Sequence, residues 1–185
     1  MISNKVFIIA EVGVNHNGNI SIAKQLISLA KKAGADAVKF QTYKAEKLAF
    51  KNTPKVKYQK KNSPKKQSHY EMLKKLELSE SDHKKLIRYC KKLKIEFLST
   101  PYDVESARFL YKCGIKKFKI ASADIIDYFL HDYLSKKANE VIISTGMASY
   151  KEIELALSLY KKNKTKISLL HCISNYPCSD ESLNL

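Results

Sequence analysis

Hydrophobic residues follow two alternating patterns along this chain. Short continuous apolar runs, typical of strands buried on both faces, are separated by longer stretches in which apolar residues recur every three or four positions, as on one side of a helix. The runs predict six strands, at 6–10, 36–42, 95–101, 116–122, 140–146 and 166–172. Because helical stretches lie between these runs, the alternation indicates a parallel sheet wrapped by helices.

Capping residues indicate where two of the helices begin and end. Asn19 or Ser21 can begin the first helix, and Gly34 can end it. Ser79 or Ser81 can begin the helix that precedes the third strand. We therefore expect the helices to start at these positions.

The segment 43–68 is too long for an ordinary connection between two elements. It is rich in lysine, contains two prolines and has few apolar residues. We expect it to be an insertion or an active-site loop and the most mobile internal segment of the chain.

Polar residues lie at or just beyond the carboxyl end of every predicted strand: Glu11, Lys39, Gln41, Ser99, Thr100, Lys119, Ser122, Ser144, Thr145 and His171. A barrel gathers these ends around one site, whereas an open doubly wound sheet concentrates ligand contacts where the strand order reverses. The first strand also lacks a G-x-G-x-x-G turn. We therefore expect an α/β fold, a (β/α)₈ TIM barrel of which this chain covers about the first six βα units.

Two lysines among these strand ends are unusual because they lie inside apolar runs. Lys39 and Lys119 would be costly to bury without an anionic partner, so we expect both to face a ligand. With the hydroxyls of Ser122 and Ser144 they could hold a phosphate and a carboxylate. Glu11 is either paired with one of the lysines or acts as an acid or base.

The polar residues after the first strand allow several roles. His16 could be a metal ligand, a general acid or a loop histidine that caps a turn. Asn15 and Asn17 also suit a turn with positive φ, which requires no ligand.

Composition and charge exclude some classes of function. The net charge is +16, but of the 34 basic residues only Arg88 and Arg108 are arginines. Nucleic-acid sites usually rely on arginine, so we expect no nucleic-acid partner. No apolar run spans a membrane, the four cysteines form no C-x-x-C pair, and the start of the chain is unlike a signal peptide. We expect a cytoplasmic protein with no membrane contact.

Seven motifs in consecutive order carry a resemblance to a known family: "AEVGVNHNG", "KFQTY", "SHYEMLKKLELS", "FLSTPYD", "KIASAD", "ISTGMAS" and "LLHCISNYP". The chain resembles the sialic acid synthases, which include N-acetylneuraminate, legionaminate and pseudaminate synthases. The resemblance implies condensation of phosphoenolpyruvate with an N-acetylated mannosamine-type sugar, which gives a nine-carbon 2-keto acid and phosphate. It also implies a divalent metal, Mn²⁺ or Mg²⁺, and a homodimer when the protein is complete.

The resemblance also implies roles for individual residues. Lys39 and Lys119 would hold the phosphoenolpyruvate, Glu11 would lie at the reacting centre, and Asp124 and Tyr176 would contact the sugar. Further substrate-binding residues would be Asn15, His16, Gln41, Thr100, Ser122, Ser144 and Ser174. The family usually has glutamate at the position of Asp124.

The resemblance stops short of the family's full pattern. The metal-binding histidines of the family belong to S-D-H and E-K-H motifs that would follow Leu185, as would a small antifreeze-like domain. We therefore expect residues 1–185 to be an incomplete N-terminal barrel domain, without metal ligands of its own and inactive alone. The alternatives are a non-catalytic remnant that binds an anion or a partner, and a related synthase that makes a shorter keto acid.

Overall fold

The computed structural model describes residues 6–55 and 67–184. Within them are six strands, β1 to β6 in chain order: Ile9–Gly13, Ala37–Thr42, Glu96–Pro101, Lys117–Ile120, Glu140–Ser144 and Lys166–Leu170. The α-helices are Ile20–Lys32, Ala45–Leu48, His69–Leu76, Glu80–Leu93, Val104–Lys112, Tyr128–Lys137 and Tyr150–Ser158. Short 3₁₀ turns occur at Ser122–Asp124 and Asp180–Ser182. The predicted alternation of strands and helices is confirmed.

The strands lie side by side in the order of the sequence. β1, β2 and β3 pair in parallel, as do β4, β5 and β6, and β3 lies next to β4. A doubly wound sheet would reverse its strand order at a switch point, and the described strands show no such reversal. The protein therefore has an α/β fold with parallel sheets whose strands advance in one direction.

The sheet is strongly curved. Phe7 lies two residues before β1, and its ring centre is 4.0 Å from Nζ of Lys117, the first residue of β4. On a flat sheet, strands three places apart are separated by about 14 Å. The chain just before β1 thus comes close to the start of β4, which indicates that the wall curls toward itself, as the wall of a barrel does.

The two faces of the wall differ in chemistry. Register pairs place Lys39 beside Glu11 and Leu98, and place Gln41 beside Thr100, so these side chains share the inner face. The outer face is apolar: Phe40 stacks on Phe97 at 5.3 Å. Its core continues into the helices through buried residues that include Ile27, Leu86, Leu110, Phe118, Leu130 and Leu134.

Capping side chains begin the helices as the sequence indicates. Asn19, not Ser21, caps the first helix by accepting the N–H groups of Ser21 and Ile22. Ser79, not Ser81, caps Glu80–Leu93 by accepting the N–H of Asp82. Each cap satisfies N–H groups that the helix leaves without an intrahelical partner.

Two expectations are wrong in detail. The first strand covers Ile9–Gly13 and not 6–10, and Val6 lies outside it and is exposed. The part of segment 43–68 that the structure describes is not simply a loop: Ala45–Leu48 is a helix, and Tyr43 and Ala45 are buried. Residues 56–66 lie outside the described residues. The mobility of the segment stays a prediction.

Among the helices of the described residues, none combines the length and the apolar content that crossing a membrane requires.

A buried hydrogen-bond chain ties the helix layer to the sheet. Nδ1 of His83 lies 3.0 Å from the carbonyl oxygen of Ser79, and its Nε2 lies 2.9 Å from Oγ1 of Thr42. The same Thr42 oxygen lies 2.7 Å from Oγ of Ser99. Burial lowers the pKa of His83, so the ring is neutral. A carbonyl oxygen of Gln41 also lies 3.4 Å from Nε2. Carbonyl oxygens only accept, and the shorter contact, with Ser79, favours the ring proton on Nδ1, so that Nε2 accepts from Thr42 and Thr42 accepts from Ser99.

Buried neutral histidines predict acid sensitivity. Burial, with a contribution from His83, lowers the pKa of His16, whose Nδ1 accepts the N–H of Gly18 at 3.0 Å. The unfolded chain therefore binds more protons below about pH 6.5, and the free energy of unfolding falls as the pH drops through that value. We expect His16→Asn, whose Oδ1 keeps an acceptor for Gly18, to reduce this slope by up to about 1.4 kcal/mol per pH unit.

Urea unfolding of the wild type and this variant between about pH 7.5 and pH 5 measures the difference. His16→Ala, which also loses the acceptor, should be destabilised across the whole range. Equal slopes for the wild type and His16→Asn would contradict the assignment.

Candidate active site

Lys119 lies at the centre of the polar inner face. It is 7% exposed, and its Nζ donates to Oγ of Ser144 at 2.5 Å and to the carbonyl oxygen of Ile120 at 2.6 Å. Burial lowers the pKa of Lys119 to about 8, and the positive charge of Lys39 adds to the effect. The two lysines are therefore close enough to repel each other, and an anion between them would be stabilised by both.

Glu11 and Lys39 form an ion pair at the ends of β1 and β2. Nζ of Lys39 is 2.5 Å from a carboxylate oxygen of Glu11, and about half of the Glu11 side chain is exposed. The pairing register between β1 and β2 shifts between Glu11 and Gly13, which has φ +52°. Such a bulge re-aims a side chain at the end of a strand. Glu11 is thus paired and still open to the site.

A cradle of small groups surrounds Gly146 after β5. Its N–H donates to Oγ of Ser122 at 3.0 Å. A Cβ on Gly146 would lie 2.6 Å from Oγ of Ser174, 3.0 Å from Oγ of Ser122 and 3.3 Å from the carbonyl oxygen of Cys172. Only a glycine leaves room for these hydroxyls to converge, and the thiol of Cys172 lies 3.3 Å from Oγ of Ser144.

Asp124 ends the 3₁₀ turn that also carries Ser122. Its Oδ2 is buried and has no hydrogen-bond partner among the described residues. Burial raises the pKa of Asp124 to about 7, and the charge of Asp127 raises it further, while Lys119 opposes the shift. At neutral pH this carboxyl group can therefore either donate or accept a hydrogen bond.

The remaining predicted residues fall into two groups. Thr100 is buried and Gln41 is half-buried on the inner face, beside each other in the register of β2 and β3. Tyr176 is 73% exposed, and its phenol contributes to the electrostatics of Tyr102 at the rim of the site. Whether these residues contact a ligand stays a prediction.

His16 is not brought to this face. Its ring is 1% exposed and stacks with Phe40 at 6.1 Å, on the side of the sheet opposite to Lys39 and Gln41. The expected substrate contact of His16 is thus corrected to a turn-capping role. Asn15 is exposed in the same turn.

Tyr102 is a further residue close to these carboxyl groups, and the sequence analysis did not single it out. Burial raises the pKa of Tyr102, and the charges of Asp124 and Glu11 raise it further, so the phenol lies near both carboxyl groups. Its ring packs edge-on against Tyr43 at 6.0 Å. The useful indication was its place directly after Pro101, at the carboxyl end of β3.

The residues described here do not form a metal site. No cluster of three or more histidine, cysteine, aspartate or glutamate side chains suited to a metal ion occurs in the parts of the chain that the structure describes. The expected divalent metal therefore does not fit this set of residues alone.

The described residues thus form a cationic, hydroxyl-rich face at the carboxyl ends of parallel strands in an α/β protein, and such a face can accommodate an anion. The profile of the NeuB family matches residues 26–185, and the chain belongs to this family. It is 46% identical to the N,N'-diacetyllegionaminic acid synthase of Legionella pneumophila, over 97% of this chain and 52% of that protein. The synthase of the same name from Campylobacter jejuni is 45% identical, over 98% of this chain and 55% of that protein.

A solved structure agrees with the fold. The N-acetylneuraminic acid (sialic acid) synthetase from Leptospira borgpetersenii, in complex with citrate, superposes with a TM-score of 0.85 and 36% identity, over 98% of this chain and 59% of that one. The chain spans about half the length of the relatives that it matches.

The cradle around Gly146 yields a prediction. Gly146→Ala should displace the Ser174 and Ser122 hydroxyls and weaken phosphate binding by about 1–3 kcal/mol, because a Cβ contact below 3 Å forces a shift. Isothermal titration with inorganic phosphate measures the loss. The double variant Gly146→Ala/Ser174→Ala removes the closest atom and should recover part of the affinity. An unchanged affinity in the single variant would show that the cradle does not bind the anion.

Proposed function

We propose that this chain supplies the phosphoenolpyruvate-binding half of a synthase that condenses phosphoenolpyruvate with an N-acetylated mannosamine-type sugar. The observation that carries the proposal is the pair of adjacent lysines, Lys39 and Lys119, on the inner face of the wall. Phosphoenolpyruvate combines a carboxylate and a phosphate on one small enol, which suits two cations separated by hydroxyl groups.

In the proposed reaction, C3 of phosphoenolpyruvate forms a carbon–carbon bond with the aldehyde carbon of the sugar, and the aldehyde oxygen takes up a proton. Water adds to C2 and releases a proton, and the bond between C2 and the phosphate oxygen then breaks. The new hydroxyl group on C2 gives its proton to the departing phosphate, and C2 becomes a ketone. Lys39 and Lys119 bind the anionic groups, and Ser122 and Ser144 orient them.

In this scheme, two carboxyl groups have roles in proton transfer and in binding the sugar. Glu11, open to the site beside Lys39, is the group that accepts a proton from the attacking water. Asp124, which keeps a proton for part of the time at neutral pH, contacts a hydroxyl or the aldehyde oxygen of the sugar. Tyr102 and Tyr176 complete the sugar side of the site.

The divalent metal that the resemblance to the sialic acid synthases implies would polarise the sugar aldehyde when bound. Because the described residues offer no cluster of ligands for it, we assign no step of the reaction to a metal held by them.

The direct test uses the full-length protein that the gene encodes. Phosphoenolpyruvate and Mn²⁺ are supplied with N-acetylmannosamine, a 2,4-diacetamido mannose-type sugar or an altrose-type sugar, and phosphate and keto acid are measured. Equal amounts of both products with one of the sugars support the proposal. Phosphoenolpyruvate binding without products from any sugar would favour a non-catalytic anion-binding protein.

Lys119 has a matched control in its own strand. Lys119→Met should lower kcat/KM for phosphoenolpyruvate, because the bound anion loses a buried charged contact. The expected loss of transition-state stabilisation is roughly 2–5 kcal/mol. Lys117→Met removes the same charge at the opposite end of β4, where Nζ lies 3.6 Å from Glu140 and 3.8 Å from Glu96. This control should change the stability but not the use of phosphoenolpyruvate.

The same assignment predicts a pH dependence. Since the pKa of Lys119 is about 8, its ammonium form is lost as the pH rises through that value. We therefore expect KM for phosphoenolpyruvate to rise above about pH 8 in the wild type, and initial rates across this range measure it. If Lys119→Met has the same pH profile as the wild type, Lys119 is not the group responsible.

A further inference from the structure

The helix His69–Leu76 contacts the segments that follow β1 and β2, the two strands that carry the ion pair of the site. A Cβ on Gly18, in the turn after β1, would lie 2.4 Å from the carbonyl oxygen of Lys75, so the backbones of the turn and the helix touch there. The Tyr43 hydroxyl, directly after β2, donates to the carbonyl oxygen of Leu73 at 3.1 Å. The helix therefore rests on the chain beyond both strands.

Glu77 directly follows this helix, and its carboxylate binds the segment after β2. Oε2 accepts the N–H of Ala45 at 3.0 Å, and Oε1 accepts from Nζ of Lys44 at 3.0 Å. From within the helix, Lys74 donates to Oε2 at 3.2 Å. Only 9% of the Glu77 side chain is exposed. One carboxylate thus joins the helix His69–Leu76 to the chain just beyond β2.

The contact supplies a cap that the helix Ala45–Leu48 does not provide for itself. Lys44 precedes this helix and makes no capping hydrogen bond with its side chain among the described residues. Ala45 is 0% exposed, so water does not satisfy its N–H, and a buried N–H without an acceptor is unfavourable. Glu77, 32 positions along the chain, provides that acceptor.

The contacts of Glu77 require its negative charge. Burial raises the pKa of Glu77, but the hydrogen bonds from Ala45, Lys44 and Lys74 outweigh burial, and the pKa lies below its usual value. Glutamine has nearly the same shape, but it offers one acceptor oxygen, and its NH₂ group would face a donor. Glu77→Gln therefore changes the chemistry of this contact with little change in volume.

The segment that Glu77 holds continues β2 without a break. The carbonyl oxygen of Thr42, the last residue of β2, accepts the N–H of Tyr102 at 3.1 Å, and the Tyr43 ring packs edge-on against the Tyr102 ring at 6.0 Å. Lys39 and Gln41 lie on the inner face of the same strand. A displacement of residues 43–45 is therefore transmitted directly to the end of β2.

We propose that Glu77 is a positioning residue: its carboxylate holds the helix His69–Leu76 against the segment after β2 and so fixes the end of the strand that presents Lys39 and Gln41 to the anion. Glu77 acts through the strand and not on a reacting atom. The kinetic consequence rests on the proposed condensation, whereas the structural consequence does not.

The test compares two glutamate-to-glutamine variants of the full-length protein. Glu77→Gln disrupts the contacts with Ala45 and with both lysines. Glu46→Gln is the matched control, because it makes the same change of charge at a side chain that is 54% exposed and lies 3.3 Å from the same Lys74. Hydrogen exchange of the Ala45 amide and the amide shifts of residues 39–42 are measured by NMR. Titration with inorganic phosphate and initial rates with phosphoenolpyruvate give Kd, KM and kcat.

We expect the Ala45 amide to exchange at least roughly 10-fold faster in Glu77→Gln than in the wild type, with shifted amides at residues 39–42. Kd for phosphate and KM for phosphoenolpyruvate should rise by roughly 10-fold to 100-fold, because a displacement of about 1 Å at binding groups has effects up to that size. Glu46→Gln should change each quantity by less than about twofold. Unfolding of part of the protein would instead lower kcat and leave KM unchanged.

A second variant keeps the inference testable if Glu77→Gln does not fold. Tyr43→Phe removes only the hydroxyl that binds Leu73 and should shift the same amides by a smaller amount.

The inference is overturned if Ala45 exchange and phosphate affinity in Glu77→Gln equal those of the wild type, or if Glu46→Gln changes them as much. Unchanged amides in Tyr43→Phe would overturn it where Glu77→Gln does not fold. If the wild type converts no sugar, the proposed condensation fails, and the exchange rates and amide shifts alone decide the role of Glu77.

Discussion

The ammonium groups of Lys39 and Lys119 are held near each other on the inner face of an otherwise apolar sheet. Burial and mutual repulsion both disfavour their charged forms, and both lower the pKa of Lys119. Glu11 offsets one of the two charges, whereas the direct partners of Lys119 among the described residues are the Ser144 hydroxyl and a carbonyl oxygen. A positive charge therefore remains on this face, and that charge is the physical basis for proposing an anionic ligand.

The opposite end of β4 shows what the same side chain does when its charge is satisfied. Lys117 lies between the carboxylates of Glu96 and Glu140, and the ring of Phe7 covers it. Along β4, Lys117 therefore marks the amino end of the wall, where its charge is neutralised by carboxylates. Lys119, two residues further on, marks the carboxyl end, which stays cationic. This division matches the general behaviour of barrels, in which the amino ends of strands serve stability and the carboxyl ends carry the site.

Much of this arrangement could be predicted from local sequence, and the failures have physical reasons. Apolar runs and capping residues identify strands and helices because burial and N–H satisfaction act over a few residues. A lysine inside such a run, as at Lys119, predicts a ligand because an isolated buried charge is unfavourable. The face that His16 occupies depends instead on a turn and on its contact with Phe40, which strand periodicity does not determine. Tyr102 lies just beyond β3, so the alternation of faces along the strand does not predict that its phenol feels the charges of Glu11 and Asp124.

The helices and the outer face of the sheet determine how acid affects the stability of the protein. Two buried neutral histidines belong to this layer: His83 links the helix Glu80–Leu93 to β2 through Thr42, and His131 pairs with Tyr160. Protonation of either would place a charge in the core, so acid weakens the scaffold as the pH falls below about 6.5. The ammonium charge of Lys119 is lost as the pH rises above about 8. Acid therefore acts on the stability of the scaffold, whereas alkali acts on the charge of the inner face, so the two effects limit the protein from opposite ends of the pH scale.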